Sequence, residues 1–261
     1  MAINIVISGA SSGLGRALAL EYAKPGVTLG LLARNEDRLR ETAAQVVLRG
    51  GVARIGLVDV RDRFALRDFL LHFDAHAPID SLIASAGVTL VTPAVGSVED
   101  LEAAASLFEV NLVGAMNMLA PVAPLMRARR SGRIAVFSSL AAFAAPPDSP
   151  SYAASKAALL AFGLATRALY RPDGVKVSVV CPGFVNTPMT DSYTSWKPLM
   201  VSPEQAARRI RRGLDRGEAI IAFPTLLYWA ARCQALLPEP MRTAALMRFR
   251  AFARKTEAGG S

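Results

Sequence analysis

Two cysteines and two histidines are all that this 261-residue chain offers to disulfide or soft-metal chemistry. Cys181 stands at the end of an expected strand and Cys233 in an apolar helix. Both read as small core residues in a reducing compartment rather than as a disulfide, which points to a cytoplasmic protein. His72 and His76 are four apart with no cysteine or third histidine near them in sequence, and a surface helix explains that spacing better than a metal site. Long apolar runs are missing too. The uncharged, largely apolar stretch from Ala219 to Ala231 covers 13 residues, is interrupted by Pro224, and falls short of the roughly 20 that a membrane helix needs. The first residues run straight into a strand without a basic region or a cleavage site, so no secretory signal is expected there. No repeat or low-complexity segment appears, and the tail from 256 to 261 is expected to fray.

What is present is apolar bulk and positive charge. With 52% hydrophobic residues the chain can bury a large core as one domain. The net charge of +9 is uneven, for residues 203 to 257 hold eleven Arg and Lys against five Asp and Glu. Within them Arg208-Arg209-Ile210-Arg211-Arg212 reads as a solvated helix face rather than a nucleic-acid surface; an anionic lipid or an acidic carrier protein remains an alternative partner for that end.

Apolar, β-rich runs at 3–8, 27–33, 52–58, 81–85, 133–138, 175–180 and 219–222 alternate with helical patterns near 13–24, 36–48, 62–76, 99–130, 151–170 and 203–214. Continuous apolar strands separated by helices imply a parallel sheet covered on both faces. Right-handed crossovers then make a doubly wound α/β (Rossmann) fold, with ligands at the carboxyl ends of the strands. Residues 223–255 form a helical C-terminal extension. Two stretches, 141–150 and 187–202, break the rhythm and read as long binding loops.

Chemistry concentrates in three motifs. Gly9-x-x-x-Gly13-x-Gly15 follows the first strand and opens a helix, which suits a tight turn, close backbone approach to a pyrophosphate, and a helix N-terminus aimed at the anion. Tyr152-Ala-Ala-Ser-Lys156 places a phenol and an ammonium four residues apart on one helix face. A phenol titrates near ~10 and is idle at neutral pH unless a cation stabilises its phenolate. Thirteen residues before Tyr152, the strand Ile134-Ala-Val-Phe-Ser-Ser139 ends in hydroxyls. Together these motifs resemble the short-chain dehydrogenase/reductase family, over roughly residues 3 to 222.

The resemblance implies a nicotinamide cofactor held by Gly9, Ser11, Ser12, Gly13, Leu14 and Gly15 at the phosphates, Asp59 and Val60 at the adenine, and Ala86 and Gly87 after the fourth strand. Pro182, Gly183, Val185 and Thr187 then lie near the nicotinamide, together with Tyr152 and Lys156. Ala33 occupies the place where NAD-preferring relatives carry an acid, and the adjacent Arg34 suits a 2′-phosphate, so NADP(H) is expected. Arg34 could instead face solvent only, while Asn35 caps the next helix. Position 85 departs from the family, with Ser where Asn is usual. By the same resemblance Asn111, Ser139, Tyr152 and Lys156 form the catalytic set. Tyr152 exchanges a proton with the substrate oxygen, Lys156 lowers the phenol's pKa and holds the ribose, Ser139 polarises the oxygen, and Asn111 binds a water that reaches Lys156.

The expected activity is an NADP(H)-dependent carbonyl reductase or alcohol dehydrogenase. The alternatives are a 3-ketoacyl thioester reductase, with Arg127, Arg129, Arg130 and Arg171 receiving an acidic carrier, and a dinucleotide-binding regulatory protein without turnover. Leu140, Phe143, Phe184, Tyr193, Trp196, Leu199 and Met200 crowd the substrate loops and favour a lipophilic small molecule. In this family the helices corresponding to 99–130 and 151–170 often form a four-helix interface, so a homodimer or homotetramer is expected. The apolar segment 223–237 is expected to pack over the substrate cavity or a subunit; the alternative is peripheral attachment to an anionic membrane, helped by the basic segment from Arg242 to Lys255.

Overall fold

A computed structural model describes residues 3–92, 98–191 and 197–247. Strands β1 (Ile3–Ser8), β2 (Val27–Ala33), β3 (Val52–Leu57), β4 (Ser81–Ala84), β5 (Gly132–Phe137), β6 (Val175–Pro182) and β7 (Ile220–Phe223) form a single seven-stranded sheet of order β3-β2-β1-β4-β5-β6-β7. Every pairing is parallel. In chain order the helices are α1 (Gly13–Tyr22), α2 (Glu36–Leu48), α3 (Arg63–His76), α4 (Leu101–Phe108), α5 (Gly114–Ala128), α6 (Ala141–Ala144), α7 (Pro150–Tyr170), α8 (Pro188–Asp191), α9 (Pro203–Arg216), α10 (Thr225–Cys233) and α11 (Glu239–Met247).

The expected doubly wound sheet is therefore present, with each strand within about two residues of its expected bounds. The central strands bury both faces because their residues are apolar without alternation, as in β1, where Ile5, Val6 and Ile7 are all fully buried, while the edge strand β3 leaves Val52 and Leu57 exposed. On one face Leu18, Leu29, Leu31, Ile210 and Ile221 join α1 and α9 to the sheet. On the other, Phe73, Met118, Val122, Ile134 and Leu159 join α3, α5 and α7 to it. Helix starts follow their caps. Asp62 accepts from the Phe64 and Ala65 N–H groups at 3.1 and 3.0 Å, and Ser202 and Gln205 close a reciprocal capping box ahead of α9.

Three details differ from the sequence-based expectation. The single helix expected over 99–130 is interrupted by a π-helical turn, Glu109–Val113, between α4 and α5. By length and composition Leu101–Ala128 could cross a bilayer, but Met118, Leu119, Val122 and Met126 are buried against the sheet and its helices. The stretches expected as loops carry the one-turn helices α6 and α8. Tyr193, Trp196 and the basic segment beyond Met247 lie outside the described residues.

The basic run on α9 is partly tied down: Arg209 pairs with Glu218 and Arg211 with Glu21. Helix α10 lies over the carboxyl end of the sheet on its Leu227 and Tyr228 side, which packs with Leu140, Phe143 and Ala222. Segment 223–237 is expected over the substrate cavity or a subunit; the contacts it makes within the chain are with α6 and β7. Its opposite face exposes Leu226 and Trp229.

Candidate active site

Sheet order reverses between β1 and β4, and at that point the carboxyl ends of two neighbouring strands open a crevice. Gly9 follows β1 with φ of +70°, a left-handed conformation natural to glycine. A Cβ on Gly15 would collide with the carbonyl oxygen of Gly9, so the loop can fold back on itself only with glycine there. The outcome is a short loop that aims the first turn of α1, with Ser12, Gly13 and Leu14, at the crevice. Ser85 answers the departure from the family pattern: its hydroxyl donates to the Ser8 carbonyl, and the Ala86 N–H donates to the Ser8 hydroxyl at 3.1 Å. Two hydroxyls thus join β1 to β4 at the switch point.

A cleft of about 140 Å³ runs from this loop across the strand ends. Gly9, Ser11, Ser12, Arg34, Asp59, Val60, Ala86 and Gly87 line it, all expected from the sequence, together with Leu32, Val58, Val88 and Val110, which were not. These four supply apolar walls for a flat base. Leu32, Val58 and Val88 are marked in the sequence only by lying at or just beyond strand ends, and Val110 comes from the π-helical turn. At the adenosine end, Ala33 brings no charge, and the Arg34 side chain is 61% exposed at the rim. Asn35 caps α2 by accepting from the Arg38 N–H at 2.9 Å, so capping and a rim arginine coexist. Asp59 is held by its neighbour Arg61, another residue that the sequence reading missed.

Two of the catalytic candidates, Asn111 and Lys156, lie behind Gly87. A Cβ placed on Gly87 would lie 3.1 Å from Asn111 Oδ1 and 3.4 Å from Lys156 Nζ, so both groups lie against that wall of the cleft. Asn111 sits in the π turn, a feature often found at functional sites. Its amide donates to the Val88 carbonyl at 3.0 Å and to Ser155 Oγ at 3.1 Å, and its oxygen accepts from the Val88 N–H at 2.8 Å. Ser155 in turn donates to the Tyr152 carbonyl at 2.8 Å. The π turn is thereby linked to the helix carrying the phenol. Ser155 lay inside the quoted motif, but only the fold gives it a partner.

Lys156 is the unusual group. Its side chain donates to the Phe137 carbonyl at 3.0 Å, and its ammonium lies 5.6 Å from the centre of the Tyr152 ring. The residue is 5% exposed. Burial lowers its pKa to about 8, while the nearby Cys181, whose thiol burial pushes up to about 12, stays uncharged in that range. The two serines ending β5 divide their tasks. Ser138 is buried and donates to the Lys156 carbonyl at 2.7 Å, which fixes α7 to the strand. Ser139 is partly exposed, accepts from the Ala141 N–H at 3.1 Å and donates to the Pro182 carbonyl at 3.4 Å. Of the two serines, Ser139 is therefore the one with access to solvent.

Beyond β6, Pro182 and Gly183 continue toward α8. Val185 is buried, and its carbonyl accepts from both Thr187 and Thr190 hydroxyls. A Cβ on Gly13 would lie 3.6 Å from Thr187 Cγ2, so the glycine loop and the segment after β6 converge. Arg127, Arg129 and Arg130 are engaged within the chain, by Asp173, Asp74 and the Pro172 carbonyl. That favours a structural role for them over carrier docking.

The folded-back glycine loop, the flat apolar slot and the hydroxyl-rich strand edge fit a dinucleotide, and with the buried lysine beneath a tyrosine they define a nicotinamide-dinucleotide oxidoreductase. Residues 4–198 match the model of the short chain dehydrogenase family. The chain is 32% identical over 246 residues to an uncharacterized oxidoreductase of Myxococcus xanthus, covering 94% of this chain and 96% of that one. It is 33% identical over 251 residues to the 11-beta-hydroxysteroid dehydrogenase-like 2 of Arabidopsis thaliana, covering 90% and 78%. Its fold matches a short-chain dehydrogenase from Sphingobium yanoikuyae in complex with NADPH, with TM-score 0.77, 24% identity, and 99% and 98% of the two chains covered. The chain belongs to the short-chain dehydrogenase/reductase family.

Proposed function

We propose that the protein is an NADP(H)-dependent carbonyl reductase or alcohol dehydrogenase acting on a lipophilic small molecule in the cytoplasm. The observation that carries this reading is the buried ammonium of Lys156 against the Tyr152 ring, at the carboxyl edge of the sheet. A bound nicotinamide supplies or accepts the hydride. Tyr152 gives its proton to the carbonyl oxygen as reduction proceeds, or takes one from the alcohol in the reverse direction. Lys156 stabilises the resulting phenolate, and Ser139 donates to the same substrate oxygen. The amide hydrogens of Asn111 being spent, an oxygen of Asn111 accepts from a water that resupplies Lys156 and through it Tyr152.

NADP(H) over NAD(H) is supported by the neutral Ala33 and the exposed Arg34 at the rim. Lipophilic substrates are supported by the half-buried aromatic pair Phe143 and Tyr228, 5.4 Å apart edge to face, and by Leu199 and Met200, which stay exposed in the segment that follows β6. Two unpaired thiols, Cys181 and Cys233, suit a reducing cytoplasm. A homodimer or homotetramer is supported by Met116 and Leu125 on α5 and by Leu164 and Leu169 on α7, which stay exposed on the two helices expected at the interface. Light scattering across micromolar concentrations should report two or four chains; a monomer would overturn the assembly.

A screen of ketones, aldehydes and 3-ketoacyl thioesters against consumption of NADPH and NADH tests the function. Turnover of an apolar ketone with NADPH, lost in Tyr152→Phe, is the expected result. No turnover of any carbonyl or alcohol, with tight dinucleotide binding retained, would favour the regulatory reading instead.

A further inference from the structure

The carboxylate of Asp59 poses a problem for a phosphate-bearing cofactor. It lines the same cleft as Arg34, with Oδ2 only 3.6 Å from Arg34 Nη1. An unattended carboxylate at that distance would capture the guanidinium and repel a phosphate on the adenosine ribose. The distances show where Asp59 is spent. Arg61 Nη2 lies 2.7 Å from Oδ2, Arg61 Nε 3.1 Å from each oxygen, and the Arg61 main-chain N–H 2.9 Å from Oδ1. Both carboxylate oxygens are thus covered by one residue, in the forked geometry that guanidinium and carboxylate favour. Arg34 remains outside hydrogen-bond range of Asp59.

The clamp is built into the chain rather than left to two mobile side chains. Asp59 and Arg61 belong to one turn, closed by the Asp62 N–H donating to the Asp59 carbonyl at 2.9 Å, and Asp62 then caps α3. In the same sense the Asp59 carboxyl is held below its ordinary range chiefly by the Arg61 side chain, with the Arg34 charge contributing least. One carboxylate between two guanidinium groups leaves a net positive charge at the ribose end.

Resting on the NADP(H) reading, we propose that Arg61 is a positioning residue for cofactor choice: by clamping Asp59 it keeps Arg34 free to receive the phosphate on the adenosine ribose. Asp59 then faces the adenine side already neutralised. Loss of Arg61 lets Asp59 turn to Arg34, which penalises NADP(H) and leaves NAD(H) nearly indifferent.

Dissociation constants for NADPH and NADH, measured by titration calorimetry on the full chain and on Arg34→Gln, Arg61→Gln and Arg61→Gln/Asp59→Asn, test this. The quantity read is the NADH-to-NADPH ratio of dissociation constants. It should exceed one in the unaltered chain and fall roughly tenfold in Arg61→Gln, the scale of one charge-assisted hydrogen bond. It should return to within about threefold of the starting value in the double variant, where Asp59 no longer competes. A merely structural Arg61 would not be rescued by removing the charge of its partner. A fall in Arg34→Gln with none in Arg61→Gln overturns the inference alone, as does a double variant that stays at the level of Arg61→Gln, which would place Arg61 on the phosphate itself. An unaltered chain that prefers NADH overturns the NADP(H) reading and this inference with it.

Discussion

The two sides of the sheet's carboxyl edge are built on different terms. On the β1–β4 side, turns are closed by glycine and by hydroxyls that bond main chain, and the cleft walls are the strand ends themselves. On the β6–β7 side, α6 and α10 meet through Phe143, Leu227 and Tyr228, while Leu226 and Trp229 face outward. The first kind of contact is directional and tolerates few residues; the second is apolar and tolerates many. A cofactor shared by a whole family suits the first, and a substrate that differs between relatives suits the second.

The sharpest way to break this comparison is at the group that serves both sides. Tyr152→Phe should lower turnover roughly 10²- to 10⁴-fold for every substrate while leaving the fold intact, as loss of a general acid does. Near-normal steady-state rates would remove Tyr152 from the chemistry.

Lys156 tests whether the cofactor side stores a cost for function. Its folded pKa of about 8 lies below its unfolded value near 10.5, so between those values the unfolded chain binds more protons and stability rises with pH. At pH 7 the burial costs on the order of 3 kcal/mol. Lys156→Met should therefore gain stability over the unaltered chain at pH 7, with the gain shrinking as pH rises from 8 toward 10.5. Urea melts at several pH values check this, and a difference independent of pH would show that the ammonium is solvated. In the unaltered enzyme, kcat/KM should also decline as Lys156 loses its proton above pH about 8.

Arg34→Ala should weaken NADP(H) by about 1.5–3 kcal/mol and spare NAD(H). Equal losses for both cofactors by calorimetry would make Arg34 structural. The smallest effect belongs to the apolar side. Leu226→Ser, on the outward face of α10, should change stability by less than about 0.5 kcal/mol in thermal melts. A loss of several kcal/mol there would mean that this face is covered in the folded assembly, and the contrast between the two sides would narrow.

The same contrast separates what could be read in the sequence from what could not. The central strands were legible because both faces are buried and their cores are continuously apolar, and Asn35 announced the start of the helix it caps. The glycine loop and the Tyr152-x-x-x-Lys156 spacing were legible because backbone geometry leaves few residues that serve. The π turn around Asn111 was not, since it depends on partners at Val88 and Ser155, which are 23 and 44 residues away. Arg61 was missed for another reason: an arginine in a polar turn has no signature until its carboxylate is seen to face Arg34. The one-turn helices α6 and α8 are too short to carry a period.

The placement of β1 beside β4 has a bearing on how the chain is made. Their closing contact joins residues 77 apart, Ser8 and Ser85. During synthesis β1 can pair with β2 early, but its other edge stays open until Ser81–Ala84 emerges. A nascent chain halted before that point presents an unpaired apolar strand, which is a template for association with other chains. Because Ala86 and Gly87 also form part of the cleft, no cofactor can rescue such a fragment. Occupancy of the cleft by a dinucleotide is consequently a report that the centre of the sheet has closed.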